Sequence, residues 1–228
     1  KVSTHAPSDA IIISDAHLLF HGDFKRSGVD LILSSGDQEL VLREYFKGEK
    51  RAALASPDGA HLTGDIVNAL ASYTLGVGNQ IETLSVTDHS LVTAINLTGN
   101  EFSNNLYGNN GANLLDGGGS NDAMIGFGGN DIFIVDNAAD VAFDFAGQGN
   151  DIVYALTSYM LNGGSEIETL SVNDIGLTTA ISLTGNEFAN TIYGNSGANT
   201  LNGMGGADVL VGFGGNDIFI VDNANDQV

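Results

Sequence analysis

A chain of 228 residues, 43% of them hydrophobic, is long enough for one or two domains and apolar enough to bury a core, which excludes a disordered tail. It has 31 glycines, two prolines, no tryptophan and no cysteine, which excludes disulfides and thiolate metal sites and points to something repetitive and glycine-dependent. The net charge is −21, and all seven basic residues (Lys1, Lys25, Arg26, Arg43, Lys47, Lys50, Arg51) lie in the first 51 positions beside eight acidic ones, leaving −20 on a remainder without Lys or Arg. Such a field repels nucleic acid and anionic membrane, and a compact fold beneath it needs counter-ions, so a metal cation is the expected partner. No stretch reaches the roughly 18 to 20 continuous apolar residues of a membrane span. The opening KVSTHAPSDA lacks the basic and apolar regions of a signal peptide.

Residues 1–71 read as a small β-rich domain. Short strands are predicted at Ala10–Ile13, His17–Phe20, Val29–Leu33 and Glu39–Leu42, separated by Gly22, Gly28 and Ser35-Gly36-Asp37. Thr63 is placed to cap a short helix through Asp65-Ile66-Val67-Asn68-Ala69-Leu70. Asp15-Ala16-His17 and His21-Gly22-Asp23 carry acid and imidazole groups, but residues of these types at strand ends are ordinary surface features.

From Tyr73 the chain repeats at an interval of 86 residues, which divides residues 72–228 into units at about 73–158 and 159–228, the second cut short. Thr98-Gly99-Asn100-Glu101-Phe102 recurs from Thr184 to Phe188, and the thirteen residues from Gly126 to Ala138 recur unchanged from Gly212 to Ala224. Self-similarity of this length means stacked units. Within each unit lies a beat of nine, starting at Gly99, Gly108, Gly117 and Gly126 and again at Gly185, Gly194, Gly203 and Gly212. The eighth position is always apolar: Leu106, Leu115, Met124, Phe133, Ile192, Leu201, Leu210 and Phe219. A three-residue strand followed by a six-residue turn points one side chain inward, so this beat suits a flattened coil of two strands. The sixth position is always a carboxylate or its amide: Asn104, Asn113, Asp122, Asp131, Asn190, Asn199, Asp208 and Asp217. Ile81–Val86 and Ile167–Val172, both Ile-Glu-Thr-Leu-Ser-Val, read as longer strands continuing the stack without ligands.

The nonapeptides Gly117–Ile125 and Gly203–Val211 and the two Gly-Phe-Gly-Gly-Asn-Asp-Ile-Phe-Ile segments resemble G-G-x-G-x-D-x-U-x, the repeat of the RTX, or hemolysin-type calcium-binding, family. The resemblance covers roughly two thirds of the chain, and a degenerate copy sits at Gly147–Val153. It implies an all-β fold, a parallel β-roll in which turns two nonapeptides apart share an ion. That pairs Asp122 with Asn104, Asp131 with Asn113, Asp208 with Asn190 and Asp217 with Asn199. Continuing the count pairs Asp140 with Asp122 and, across a two-residue slip, Asp151 with Asp131, and Asp226 is a further candidate. Gly118, Ser120, Gly129, Gly149, Gly206 and Gly215 are candidates to contribute turn oxygens. Glycines permit positive φ and let carbonyl oxygens converge, while aspartate supplies the charged ligand of a hard, oxygen-seeking ion. Ser120, Phe127 and Phe213 stand where the pattern has glycine, and amides replace carboxylates in the leading turns, which are therefore expected to be partly metal-free and held by asparagine bonding the backbone.

No H-E-x-x-H, G-x-S-x-G, G-x-x-x-x-G-K-[ST] or cysteine nucleophile is present, so the sequence reads as non-enzymatic. There is no Asp-Pro bond for self-cleavage, and the chain ends at Asp226-Gln227-Val228, partway through a repeat, as an excised fragment would. The expectation is a structural module, binding several Ca²⁺ ions, of a larger extracellular or cell-surface bacterial protein exported through a type I-like route. Alternatives are an adhesion module with a cell-surface, polysaccharide, ice or self partner, and the repeat region of a secreted protease or lipase.

Overall fold

The computed structural model describes residues 11–12, 23–27, 30–35, 38–42, 54–55, 61–63, 66–145 and 147–228. Six short strands come first: β1 (Ile11–Ile12), β2 (Asp23–Ser27), β3 (Asp30–Ser35), β4 (Gln38–Leu42), β5 (Leu54–Ala55) and β6 (His61–Thr63). β2, β3 and β4 form an antiparallel sheet, while β1, β5 and β6 belong to one face of the main stack. The expected strands at Ala10–Ile13, Val29–Leu33 and Glu39–Leu42 overlap β1, β3 and β4. His17–Phe20, Asp15-Ala16-His17 and His21-Gly22 lie outside the described residues.

The helix expected at 65–70 is corrected: Ile66–Ala69 is a strand, β7, which pairs antiparallel with β6 and parallel with β9 (Thr83–Val86). Val67 and Ala69 point into the core while Ile66 and Asn68 point out, a period of two that packing imposes over helix propensity. Asp65-Ile66-Val67-Asn68-Ala69 stands 86 residues ahead of Asp151-Ile152-Val153-Tyr154-Ala155, so β7 is a rung of the repeat.

The remaining strands of the first unit are β8 (Tyr73–Thr74), β10 (Leu97–Asn100), β11 (Asn105–Tyr107), β12 (Leu114–Gly118), β13 (Ala123–Ile125), β14 (Ile132–Val135), β15 (Val141–Phe143) and β16 (Ile152–Ala155). The second has β17 (Tyr159–Met160), β18 (Thr169–Val172), β19 (Ser182–Thr184), β20 (Thr191–Tyr193), β21 (Thr200–Asn202), β22 (Val209–Val211) and β23 (Ile218–Ile220). They wind into a parallel β-solenoid of about nine turns, with no helix among the described residues. Successive strands alternate faces, and each pairs in parallel with the next but one. Asn105 lies opposite Ala123, and Ala123 opposite Val141, so one coil takes 18 residues, two nonapeptides.

One face is continuous from β8 through β22. The other is divided between a sheet ending at β15 and a sheet starting at β17. The repeat explains the arrangement. Each 86-residue unit holds nine strands, β8 to β16, an odd number, so β9, β11 and β13 lie on one face and their counterparts β18, β20 and β22 on the opposite one. At the break the Tyr159 hydroxyl accepts from Ala142 N (3.1 Å) and donates to Asp140 O (3.0 Å), supplying across the gap what strand pairing supplies elsewhere.

The core is the interior column of the coil. Leu106, Leu115, Met124, Phe133, Ile192, Leu201 and Leu210, all eighth positions, are fully or almost fully buried, with Leu84, Leu97, Leu170 and Leu183 between them, and Phe219 packs partly buried against the column. The interior is one residue wide per rung, so a truncation has few neighbours able to collapse onto it. Phe133→Ala, measured by urea unfolding at saturating calcium, is expected to cost about 3–5 kcal/mol. The outward, half-buried Ile134→Ala should cost roughly 1 kcal/mol or less.

Candidate metal centre

The sixth-position side chains stack at the turns. Asn104 N donates to Asp122 Oδ1 (2.7 Å) and Asp122 N to Asp140 Oδ1 (2.9 Å). On the opposite edge Asn113 N donates to Asp131 Oδ1 (2.7 Å), Asp131 N to Asp151 Oδ1 (2.7 Å), and Asp151 N to Glu168 Oε2 (2.7 Å). In the second unit Asn190 N reaches Asp208 Oδ1 (2.7 Å), Asp208 N reaches Asp226 Oδ1 (3.0 Å) and Asn199 N reaches Asp217 Oδ1 (2.9 Å). In the eight glycine-led turns the sixth side chain curls back over the leading glycine. A Cβ at Gly117 would collide with the Asp122 carboxylate, and one at Gly126, Gly203 or Gly212 with that of Asp131, Asp208 or Asp217. The leading glycine is the space that the sixth side chain occupies.

Two kinds of turn result. In the asparagine turns both ends of the amide are engaged: Asn104 Oδ1 accepts from Asn100 N (2.8 Å) and Nδ2 donates to Ile81 O (2.9 Å). Asn113, Asn190 and Asn199 repeat this with Asn109, Asn186 and Asn195 as donors and Ile95, Ile167 and Ile181 as acceptors. In the aspartate turns one oxygen reaches the preceding coil in place of the NH₂, and the other lies over the leading glycine where the asparagine oxygen lies in the amide turns, but receives no N–H there. Asp122 Oδ2, Asp131 Oδ2 and Asp208 Oδ2 are buried without a hydrogen-bond partner. These residues are only 2%, 1% and 0% exposed.

The backbone separates the same two classes. The aspartate turns hold positive φ at their second and fourth positions: Gly118 (82°) and Ser120 (77°), Phe127 (73°) and Gly129 (107°), Met204 (64°) and Gly206 (110°), Phe213 (65°) and Gly215 (103°). None of the asparagine turns contains a positive φ. Four non-glycine residues in the left-handed region, at about 1–3 kcal/mol each, are the kind of strain that collects at ligand clamps. Buried carboxylate oxygens lacking donors, with no Lys or Arg after Arg51, form an all-oxygen donor set suited to a hard divalent cation.

The family model for the RTX calcium-binding nonapeptide repeat (4 copies) matches residues 98–141, 182–210 and 193–228. The chain carries RTX calcium-binding nonapeptide repeats. No curated protein and no solved structure gave a match. The matched segments contain both turn classes, so RTX turns in this chain are divided between amide-closed and carboxylate-open forms.

Sequence reading missed two groups. Asn100, Asn109, Asn186 and Asn195 at second positions are buried, and their amides clamp carbonyls of the preceding coil, as Asn100 Nδ2 does with Asn79 O (2.7 Å). Their recurrence at the 86-residue interval was the available signal. Asp144, 0% exposed, is the second: its Oδ2 is also unpartnered, and ligand atoms of Asp131, Asp144 and Asp151 all lie within 4.8 Å of one another. Its signal was Asp58 and Asp65 standing 86 residues ahead of Asp144 and Asp151.

Burial pushes the Asp122 carboxyl from its ordinary value of 3.8 up to about 6 and that of Asp131 up to about 7, and it raises Asp208. Each native pKa exceeds its unfolded value, so between pH 4 and 7 the metal-free fold binds more protons than the unfolded chain and loses stability as pH rises. In chelator, circular dichroism should therefore show more ordered β-structure at pH 5 than at pH 8. Calcium binding should follow the opposite trend, strengthening as pH rises through 6 to 7, because the ion requires ionised carboxylates.

Proposed function

We propose that this chain is the structural, ion-loaded β-roll of a larger secreted bacterial protein, and that Ca²⁺ drives its folding outside the cell after export through a type I-like route. The observation that carries this reading is the set of buried, donorless carboxylate oxygens in a segment with no cationic side chain. In low calcium some twenty unpaired acids oppose compaction and keep the chain export-competent. Extracellular calcium modules bind at about 10⁻⁴ to 10⁻³ M, so several sites filling together at millimolar Ca²⁺ turn the fold on.

Asp122 with Asp140, Asp131 with Asp151, and Asp208 with Asp226 are the carboxylate pairs proposed to hold ions, and Asp217 stands against an asparagine neighbour. Gly118, Ser120, Gly129, Gly149, Gly206 and Gly215 are proposed to present their carbonyls. The turns of Asn104, Asn113, Asn190 and Asn199 are proposed to close without an ion, because their amides already make the bonds an ion would make. In the β-rich segment ahead of the roll, the β2–β4 sheet is proposed as a separate unit, while β1, β5 and β6 lead the chain onto β7. No catalytic role is assigned. The outward column of the continuous sheet runs Leu114, Ile132, Ile152, Thr169, Thr191, Val209, a mixed row with no regular lattice for ice or glycan.

Calcium titration from chelator, followed by far-UV circular dichroism, tests the proposal. Wild type should fold cooperatively with a midpoint near millimolar. Asp122→Ala and Asp208→Ala should each move the midpoint to higher calcium by on the order of tenfold or more, since even groups that only orient ligands are worth about 10- to 100-fold. Full structure in chelator at pH 7.5, or unshifted midpoints in both variants, would contradict it.

A further inference from the structure

Asp144 stands two nonapeptides beyond Gly126, where the beat calls for a turn-leading glycine, and the pairing of Ile132 with Ile152 takes 20 residues instead of 18. The matched repeat segments stop at 141 and resume at 182, so this junction lies outside them. Asp144 is held from both sides: its backbone N donates to Ser165 Oγ (3.1 Å) and its Oδ1 accepts from Phe145 N (2.7 Å). Oδ2 is buried with no partner, as is Asp131 Oδ2. Asp151 completes the group, with Oδ1 fixed by Asp131 N and its own N bonded to Glu168. All three residues are at most 1% exposed. Three carboxylates whose ligand atoms lie within 4.8 Å of one another, two of them with unused buried oxygens, form a cradle for a positive ion.

We propose that Asp131, Asp144 and Asp151 together bind one divalent cation of the calcium class in a site at the end of the first unit, beside its junction with the second, with Asp144 as a third carboxylate that no repeat turn supplies. The proposal takes the identity of the ion from the calcium reading above. The cradle itself stands on its own geometry. Three carboxylates facing one ion outnumber the two of a repeat pair, so this is the tightest site, since ligand charge sets affinity among oxygen sites. Without an ion, burial and the neighbouring Asp151 push the Asp144 carboxyl up to about 8, so in chelator the cluster retains protons. The ion also joins β14 to β16, where the register slips and the opposite face is interrupted, and the second unit holds two of its ligands through Ser165 and Glu168, so it couples folding of the first unit to that of the second.

The test is calcium binding to the full chain by isothermal titration, comparing wild type with Asp144→Asn and with Asp208→Ala. Asp144→Asn should bind one ion fewer and lose the tightest class while its other constants hold. Asp208→Ala should lose a weaker ion and keep the tight one. An unchanged count and unchanged tightest constant in Asp144→Asn, with a loss in Asp208→Ala, would overturn the junction site alone. No calcium uptake by wild type would overturn the function proposed above as well. If Asp144→Asn does not fold at 10 mM calcium, anomalous diffraction from wild-type crystals soaked in Tb³⁺ decides. A peak among the three carboxylates supports the site, and peaks only at the repeat turns overturn it.

Discussion

The structure depends on burying carboxylate oxygens that nothing in the protein can neutralise. Stacking is what buries them: each rung aims a backbone N–H at one oxygen of the rung above, as Asn104, Asn113 and Asn190 do, and the second oxygen is carried inward with it. A buried ion without a partner costs several kcal/mol even after relaxation. Such costs recur at Asp122, Asp131 and Asp208, whose second oxygens have no partner. The protein must take up protons or cations, and near neutral pH in a calcium-rich medium the cations win.

Asparagine and aspartate at one position therefore do different work. Asn199 closes its turn with bonds to Asn195 N and Ile181 O, and its backbone takes ordinary φ values. Asp208, one turn later, leaves an oxygen unbonded and twists Met204 and Gly206 into the left-handed region. Each unit thus has a leading half that is complete from its own hydrogen bonds and a trailing half that is strained and charged until an ion arrives. A chain organised this way has a scaffold ready to be propagated, which fits the nearest-neighbour energetics of solenoids.

The sequence carried the roll, its nine-residue beat and the pairing of turns two nonapeptides apart, because one buried side chain and one turn ligand per nonapeptide leave marks at fixed positions, as at Phe133 and Asp131. Other features were not legible locally. Asp65–Leu70, led by Thr63, has the cap and polarity of a helix, and its pairing with β6 and β9 makes Ile66–Ala69 a strand. The exchange of faces between units follows from an odd number of strands, which a count of repeats does not reveal. Asp144 escaped because it replaces a glycine, and the two-residue slip after it hides the beat. Tyr159 looks like any core aromatic until its hydroxyl is seen bridging Ala142 and Asp140.

Amide hydrogen exchange at pH 7.5, in millimolar calcium and in chelator, reads the central interaction directly at the N–H groups of Asn104, Asn113, Asn190 and Asp208, each of which donates to a stacked carboxylate. Strong protection with calcium that collapses on chelation, in the aspartate turns first, is the predicted result. Equal protection in both conditions would mean that the buried acids need no ion, and would contradict the account.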